Sequence, residues 1–129
     1  MVPITAFYAG LLALIVIALG AVIGPIRLRT GISILHGDNM QLATAVRRHG
    51  NFTESVPFAL ILLGFLELNG ASTGLLHGLG IALVVSRIVH PLGLQHDNVR
   101  NPMRGIGAGG TTLVTLIAGV MLIWGFVSR

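Results

Sequence analysis

Four long apolar runs dominate this chain, and the first sets the terms for the rest. From about Ile4 to Ile26 there is no charged residue. A run of that length can cross a bilayer, which needs about 20 residues of helix. It lacks the basic start and small-residue cleavage site of a secretory signal, so it is expected to remain as a membrane helix. Three more runs follow, at about 39–68, 72–92 and 105–127, the second of them polar in its first half. The connections are short, and the longest, Arg27 to Asp38, carries Gly31 and Gly37 as helix breakers. Buried helices of a soluble protein could each be this apolar, but four of them in 129 residues would leave no polar face to cover a globule. Only 9% of the residues are charged, against about 25% in soluble domains. The expected fold is all-α: a single domain, residues 1–129, forming an integral membrane four-helix bundle with helices at about 4–26, 39–68, 72–92 and 105–127.

The few charges are placed unevenly. All 8 basic residues are arginine. Arginine suits sites where a planar fork grips a carboxylate or phosphate, although GC-rich coding also replaces lysine by arginine. Arg27, Arg29, Arg47 and Arg48 flank the first connection, and Arg87, Arg100 and Arg104 flank the third. The second, around ELNGAST, has no basic residue, and the tail has only Arg129. The positive-inside rule therefore puts the first and third connections in the cytoplasm and both termini outside. No basic face with base-stacking aromatics accompanies the net charge of +4, so a nucleic-acid partner is not expected. With no cysteine, the chain has no disulfide, thiolate metal site or cysteine nucleophile, and any thiol must arrive with a substrate. Of the histidines, His49, His77 and His96 lack metal-ligand spacing and read as structural or solvent-facing, and His36 reads as loop.

Glycine is abundant, at 18 residues, and several lie four apart: Gly20 with Gly24, Gly70 with Gly74 and Gly78, Gly105 with Gly109. In lipid this spacing lets helices approach closely, so these glycines are expected at helix contacts.

The stretch RRHGNFTESVPF, residues 47–58, runs straight into ALILLGF. If the second helix leaves the membrane near Glu67 and Asn69, Glu54 lies about 20 Å and Arg47 about 30 Å below that boundary. The hydrocarbon is about 30 Å thick, so Glu54 falls within it and Arg47 at its inner edge. An ionisable group facing lipid at such a depth costs at least a few kcal/mol. Arg47, Asn51 and Glu54, spaced i, i+4, i+7, share one helix face, and Phe58 continues it. That face is expected to point at protein or at a polar pocket. Pro57 leaves the carbonyl of Thr53 without its helical donor and allows a bend beside Glu54. The bland alternative is a cluster that only locks helices together. Arginines at the inner ends of the other helices, Arg27, Arg29, Arg87 and Arg104, outnumber the nearby acids Asp38, Glu54 and Asp97. Surplus arginine beside one carboxylate and one amide suits a small anion that also carries an ammonium group.

The pattern R-x-x-x-N-x-x-E with V-P following, here Arg47, Asn51, Glu54, Val56 and Pro57, resembles the signature of the MAPEG superfamily, the membrane-associated proteins in eicosanoid and glutathione metabolism. The wording RRHGNFTESVPFALILLGFLELNG is especially similar to bacterial members, and the resemblance extends over essentially the whole chain. It implies a homotrimer of four-helix subunits with glutathione held at subunit interfaces near the cytoplasmic side. Carried over by residue, it implies that Arg47, Asn51 and Glu54 bind glutathione, with Arg27 at the end of the first helix. It implies that Arg104 stabilises the thiolate, with Arg100 as the rival match. Where many eukaryotic members have a tyrosine after the glutamate, this chain has Ser55, and tyrosines near the end of the third helix appear here as His90 and Leu94. Arg87 and His90, i and i+3 on one face, are candidate substitutes.

The resemblance thus implies a glutathione-dependent transferase or peroxidase of a bacterial inner membrane, acting on lipophilic electrophiles or lipid hydroperoxides that enter from the lipid. Three other readings compete: a non-catalytic lipid-binding or scaffolding protein of the same fold, a small four-helix multidrug transporter, and a purely structural protein. The transporter would need an acidic residue in the first helix, which has none. The structural reading leaves the polar stripe unexplained.

Overall fold

The structure, a computed structural model, describes every residue except His96, Val99 and Arg129, so the readings of His96 and Arg129 fall outside it. It consists of four helices: α1 Pro3–Thr30, α2 Met40–Leu68, α3 Thr73–Gly93 and α4 Pro102–Val127. All four are long and apolar enough to cross a membrane.

Local chemistry explains where each helix begins and ends. Asn39, Ser72 and Asn101 cap α2, α3 and α4, accepting from the amides of Leu42, Leu75 and Met103. Asn101 followed by Pro102 at the first helical position starts α4 three residues before the expected 105. Helix α1 continues past Ile26 to Thr30, because basic side chains are favourable in a last turn and Arg27 and Arg29 lie there. It stops at Gly31, whose φ of 70° is left-handed and whose N–H returns to the carbonyl of Arg27. Helix α2 runs uninterrupted through Pro57.

The start of α1 is the exception. Val2 provides no side-chain cap. The carboxylate of Glu67, in the last turn of α2, takes that place: Oε1 accepts from the amide of Ile4 at 2.9 Å and Oε2 from that of Thr5 at 2.7 Å. An anion at a helix N-terminus is favourable, and this one also fastens the start of α1 to the end of α2.

Around the bundle the helices run in the order α1, α2, α4, α3. The α3–α4 contact is the most extensive, and α1 and α4 stand at opposite corners. The core is one cluster along α1 to α4, built on Leu12, Phe52, Val56, Leu63, Leu76, Leu83 and Val114, with a small second cluster of Ile26, Leu42 and Ala45. Leu14, Ile17, Ile61, Ile81, Leu113 and Ile123 face outward on the four helices, as lipid requires and water would not allow.

The close contacts are not made by the glycines expected from spacing. An added Cβ at Gly24, Gly70, Gly74, Gly78, Gly105 or Gly109 would meet nothing within 4 Å, and at Gly20 only the ring of His49 at 3.5 Å. Four other glycines are the tight ones. At Gly80 a Cβ would strike the ring of Tyr8, at Gly93 the backbone of Met103 and Arg104, at Gly107 the backbone of His90, and at Gly110 the hydroxyl of Ser86. Three of them join α3 to α4, which is why that contact is the closest.

Candidate functional site

The polar stripe of α2 divides between two directions. Arg47 and Glu54, two turns apart, form an ion pair on the outer surface, Nη1 to Oε1 at 2.9 Å, with each side chain 59% exposed. Phe58 is also exposed, one turn further on. Asn51 instead points inward. Its Oδ1 accepts from Nη1 of Arg87 on α3 at 3.0 Å, and Ser55 Oγ accepts from the same nitrogen at 3.1 Å. Within the one stripe Asn51 thus lies at the inner edge and Arg47 and Glu54 at the outer. A helical stripe is wide enough to straddle the edge of a buried face, and Asn51 falls on the inner side of that edge.

Arg87 is the centre of the arrangement. The buried stripe of α3 is apolar through Leu76, Leu79 and Leu83, then becomes Ser86, Arg87 and His90. Arg87 is 2% exposed. Its Nη2 donates to the carbonyl of Gly107 on α4 at 2.8 Å, and its Nε has no partner among the described residues. Only a glycine at 107 lets α4 come near enough to His90 for this bond. The same carbonyl accepts from the hydroxyl of Thr111 at 3.1 Å. Every acceptor of Arg87 is thus neutral, and among the described residues no carboxylate is paired with it. A charge so deep is normally matched by an anion.

His90 is buried one turn beyond Arg87. Arg47 and Arg104 line a cleft of about 230 Å³ together with Thr44, Leu94 and Gln95. A second cleft in the same α2–α4 groove, about 430 Å³, is bounded by Glu54, Ser55, Phe58 and the threonines of α4. The remaining arginines have structural duties. Arg27 donates to the carbonyls of Ile32 at 2.9 Å and Leu35 at 3.2 Å, ordering the first connection. Arg29 reaches Gln41, and Arg48 holds the carbonyl of Leu94 at the end of α3 with Nε and Nη2. Arg100 is exposed in the third connection.

Of the residues singled out from the sequence, Arg47 is bonded to Glu54 and, separately, Asn51 to Arg87; Arg104 lines the smaller cleft with Arg47, and His90 is buried one turn beyond Arg87. Arg27 is committed elsewhere within this subunit. Two contributors to the site, and one fold contact at the far end of α2, were not read from the sequence. Ser55 was noted only as a departure from a tyrosine, Arg48 only as a flanking charge, and Glu67 only as a boundary marker. The signal for Glu67 was available: a first helix with no capping side chain and no acid in its first turn needs an acceptor from elsewhere. Among the described residues no cluster of histidine, aspartate and glutamate could hold a metal.

Chemically, the groove offers a carboxylate and two arginines at an accessible surface, with a third, unneutralised guanidinium behind the wall. That set suits a ligand with both carboxylate and ammonium groups, and it favours the ionised form of an acid placed against it.

The model of the MAPEG family matches residues 5–124. The curated protein Inner membrane protein YecN of Escherichia coli strain K12 is 34% identical over 116 residues, covering 88% of this chain and 87% of that protein. Its counterpart in Escherichia coli O6:H1 matches to the same extent. No solved structure gives a significant match.

Proposed function

The chain belongs to the MAPEG family, and on that premise we propose that it is a membrane-bound, glutathione-dependent transferase or peroxidase. Arg47 and Glu54 grip the charged ends of glutathione, and Asn51, Arg87 and His90 form the wall behind it. Arg104, which lines the smaller cleft with Arg47, stabilises the thiolate. The observation that carries this reading is the ion pair of Arg47 and Glu54, half-exposed at a depth where one subunit alone would present it to lipid. Such a pair calls for a polar ligand and a covering neighbour, which supports the homotrimer that the family resemblance implies. In that assembly Arg27 of an adjacent copy is the candidate for completing the site. The name of the Escherichia coli relative supports an inner-membrane location, and the arginine asymmetry supports cytoplasmic first and third connections.

The mechanism needs no protein nucleophile. A free thiol with pKa about 8.5 is mostly protonated at neutral pH, and neighbouring guanidiniums raise its thiolate fraction. Lowering the pKa by one unit takes about 1.4 kcal/mol, a modest demand on arginines in a partly desolvated groove. The lipophilic partner enters sideways from the bilayer.

Isothermal calorimetry with millimolar glutathione tests the reading. Saturable heat is expected, together with a thiolate absorbance that persists to lower pH than for free glutathione. No heat and no competition by glutathione analogues would remove its support. Binding without any conjugation of a generic aromatic electrophile would favour the non-catalytic, lipid-binding alternative.

A further inference from the structure

A cleft of about 490 Å³ between α1, α2 and the third connection has no part in the reading above. Its walls divide by chemistry. Val22 and Ile26 of α1 and Met40 of α2 are apolar, and Val22 and Met40 are open at the surface. Gln41, Arg48 and Asp97 are polar. The far end of α1 is marked by Glu67, which holds the amides of Ile4 and Thr5. Measured along α1 from Ile4, Val22 lies about 27 Å away and Ile26 about 33 Å. The hydrocarbon of a bilayer is about 30 Å thick. A bundle with Ile4 at one boundary therefore has this cleft at the other, where acyl chains give way to headgroups. The polar groups there keep binding capacity. Arg48 gives Nε and Nη2 to the carbonyl of Leu94, and its Nη1 makes no hydrogen bond among the described residues. Gln41 accepts from Arg29 through Oε1, which leaves its amide nitrogen to donate. Asp97 is in no ion pair among the described residues.

We propose that this cleft binds the head of an aminophospholipid, a phosphodiester carrying a primary ammonium group, with an acyl chain leaving past Val22. Nη1 of Arg48 and the amide of Gln41 donate to the phosphate, and Asp97 accepts from the ammonium. An anionic head without an amine leaves Asp97 facing only negative charge. A trimethylammonium head brings the positive charge but no N–H to donate. A soluble phosphate ester gains nothing from the apolar wall of Val22, Ile26 and Met40. The inference is independent of the proposed function, because none of these residues holds glutathione in that reading. One charge near a membrane surface is worth about 1 kcal/mol, which sets the preference at about threefold to tenfold.

The test is native mass spectrometry of the full protein released from detergent micelles. The protein is titrated with phosphatidylethanolamine, phosphatidylcholine and phosphatidylglycerol of identical acyl chains. The wild type is expected to bind phosphatidylethanolamine about threefold to tenfold more tightly than either of the others. Asp97→Asn, at an exposed position in the third connection, is expected to bring the ratio over phosphatidylcholine to about one. Asp97→Glu is expected to keep the preference, which excludes a mere loss of fold. Equal binding of the three lipids by the wild type, or an undiminished ratio in Asp97→Asn, would overturn the proposal. Tightest binding of phosphatidylglycerol would overturn it too, because attraction by arginine would then be the whole effect. A final arm adds free O-phosphoethanolamine at the same concentration as the lipid. No displacement is expected, and displacement would give the cleft to a soluble ligand instead of a lipid.

Discussion

Removing Asn51 should harm the fold more than removing the charge it holds. Arg87 makes three hydrogen bonds from a buried guanidinium, two to α2 and one to α4. Bonds from a charged donor are worth about 1.5–3 kcal/mol each. Against them stands the desolvation of an unneutralised charge, several kcal/mol after relaxation. The two cancel to within a few kcal/mol. Arg87→Met deletes both at once. Ser55 still donates to Asn51 and Gly107 still accepts from Thr111, so little is orphaned except the Asn51 amide. The expected change in stability is under about 2 kcal/mol in either direction. Asn51→Leu keeps the volume but leaves the cation in place with one partner fewer, which should cost about 3 kcal/mol. The double variant should resemble Arg87→Met alone, giving a coupling of about 2–3 kcal/mol. Unfolding by titration of SDS into nonionic micelles, followed by far-ultraviolet circular dichroism, measures all four corners of the cycle. If Arg87→Met costs more than Asn51→Leu and the two losses simply add, Arg87 is not a charge whose burial Asn51 offsets, and the account of the site's centre is wrong.

Other expectations follow from the same geometry. Glu67→Ala removes the acceptor for the amides of Ile4 and Thr5, and should cost about 1–2 kcal/mol while raising hydrogen exchange at those two amides; unchanged exchange there would refute the cap. Gly80→Ala places a methyl against the ring of Tyr8, and should cost about 1–3 kcal/mol by overpacking, whereas Gly78→Ala meets nothing within 4 Å and should be neutral or slightly stabilising; equal effects would contradict the packing assigned to α3. Arg104→Ala should lower turnover more than glutathione affinity, and the opposite split between kcat and calorimetric affinity would transfer the thiolate role to another arginine.

Hydropathy and helix geometry alone determined the four spans and that the second is polar in its first half. A charge-free run from Ile4 to Ile26 has one stable outcome in lipid, because the backbone must satisfy itself as a helix. The absence of cysteine likewise fixed that any thiol comes from outside. Tertiary structure decided which neighbour each side chain meets. Lipid and bundle interior are equally apolar, so a hydrophobic pattern does not distinguish the lipid face from the packed face as it does in water. For that reason spacing pointed to Gly105 and Gly109 while the contacts fell on Gly107 and Gly110. For that reason also, the sequence showed Arg47, Asn51 and Glu54 as one stripe, and only the placement of α3 and α4 turned Asn51 inward to Arg87 and left the ion pair at the surface.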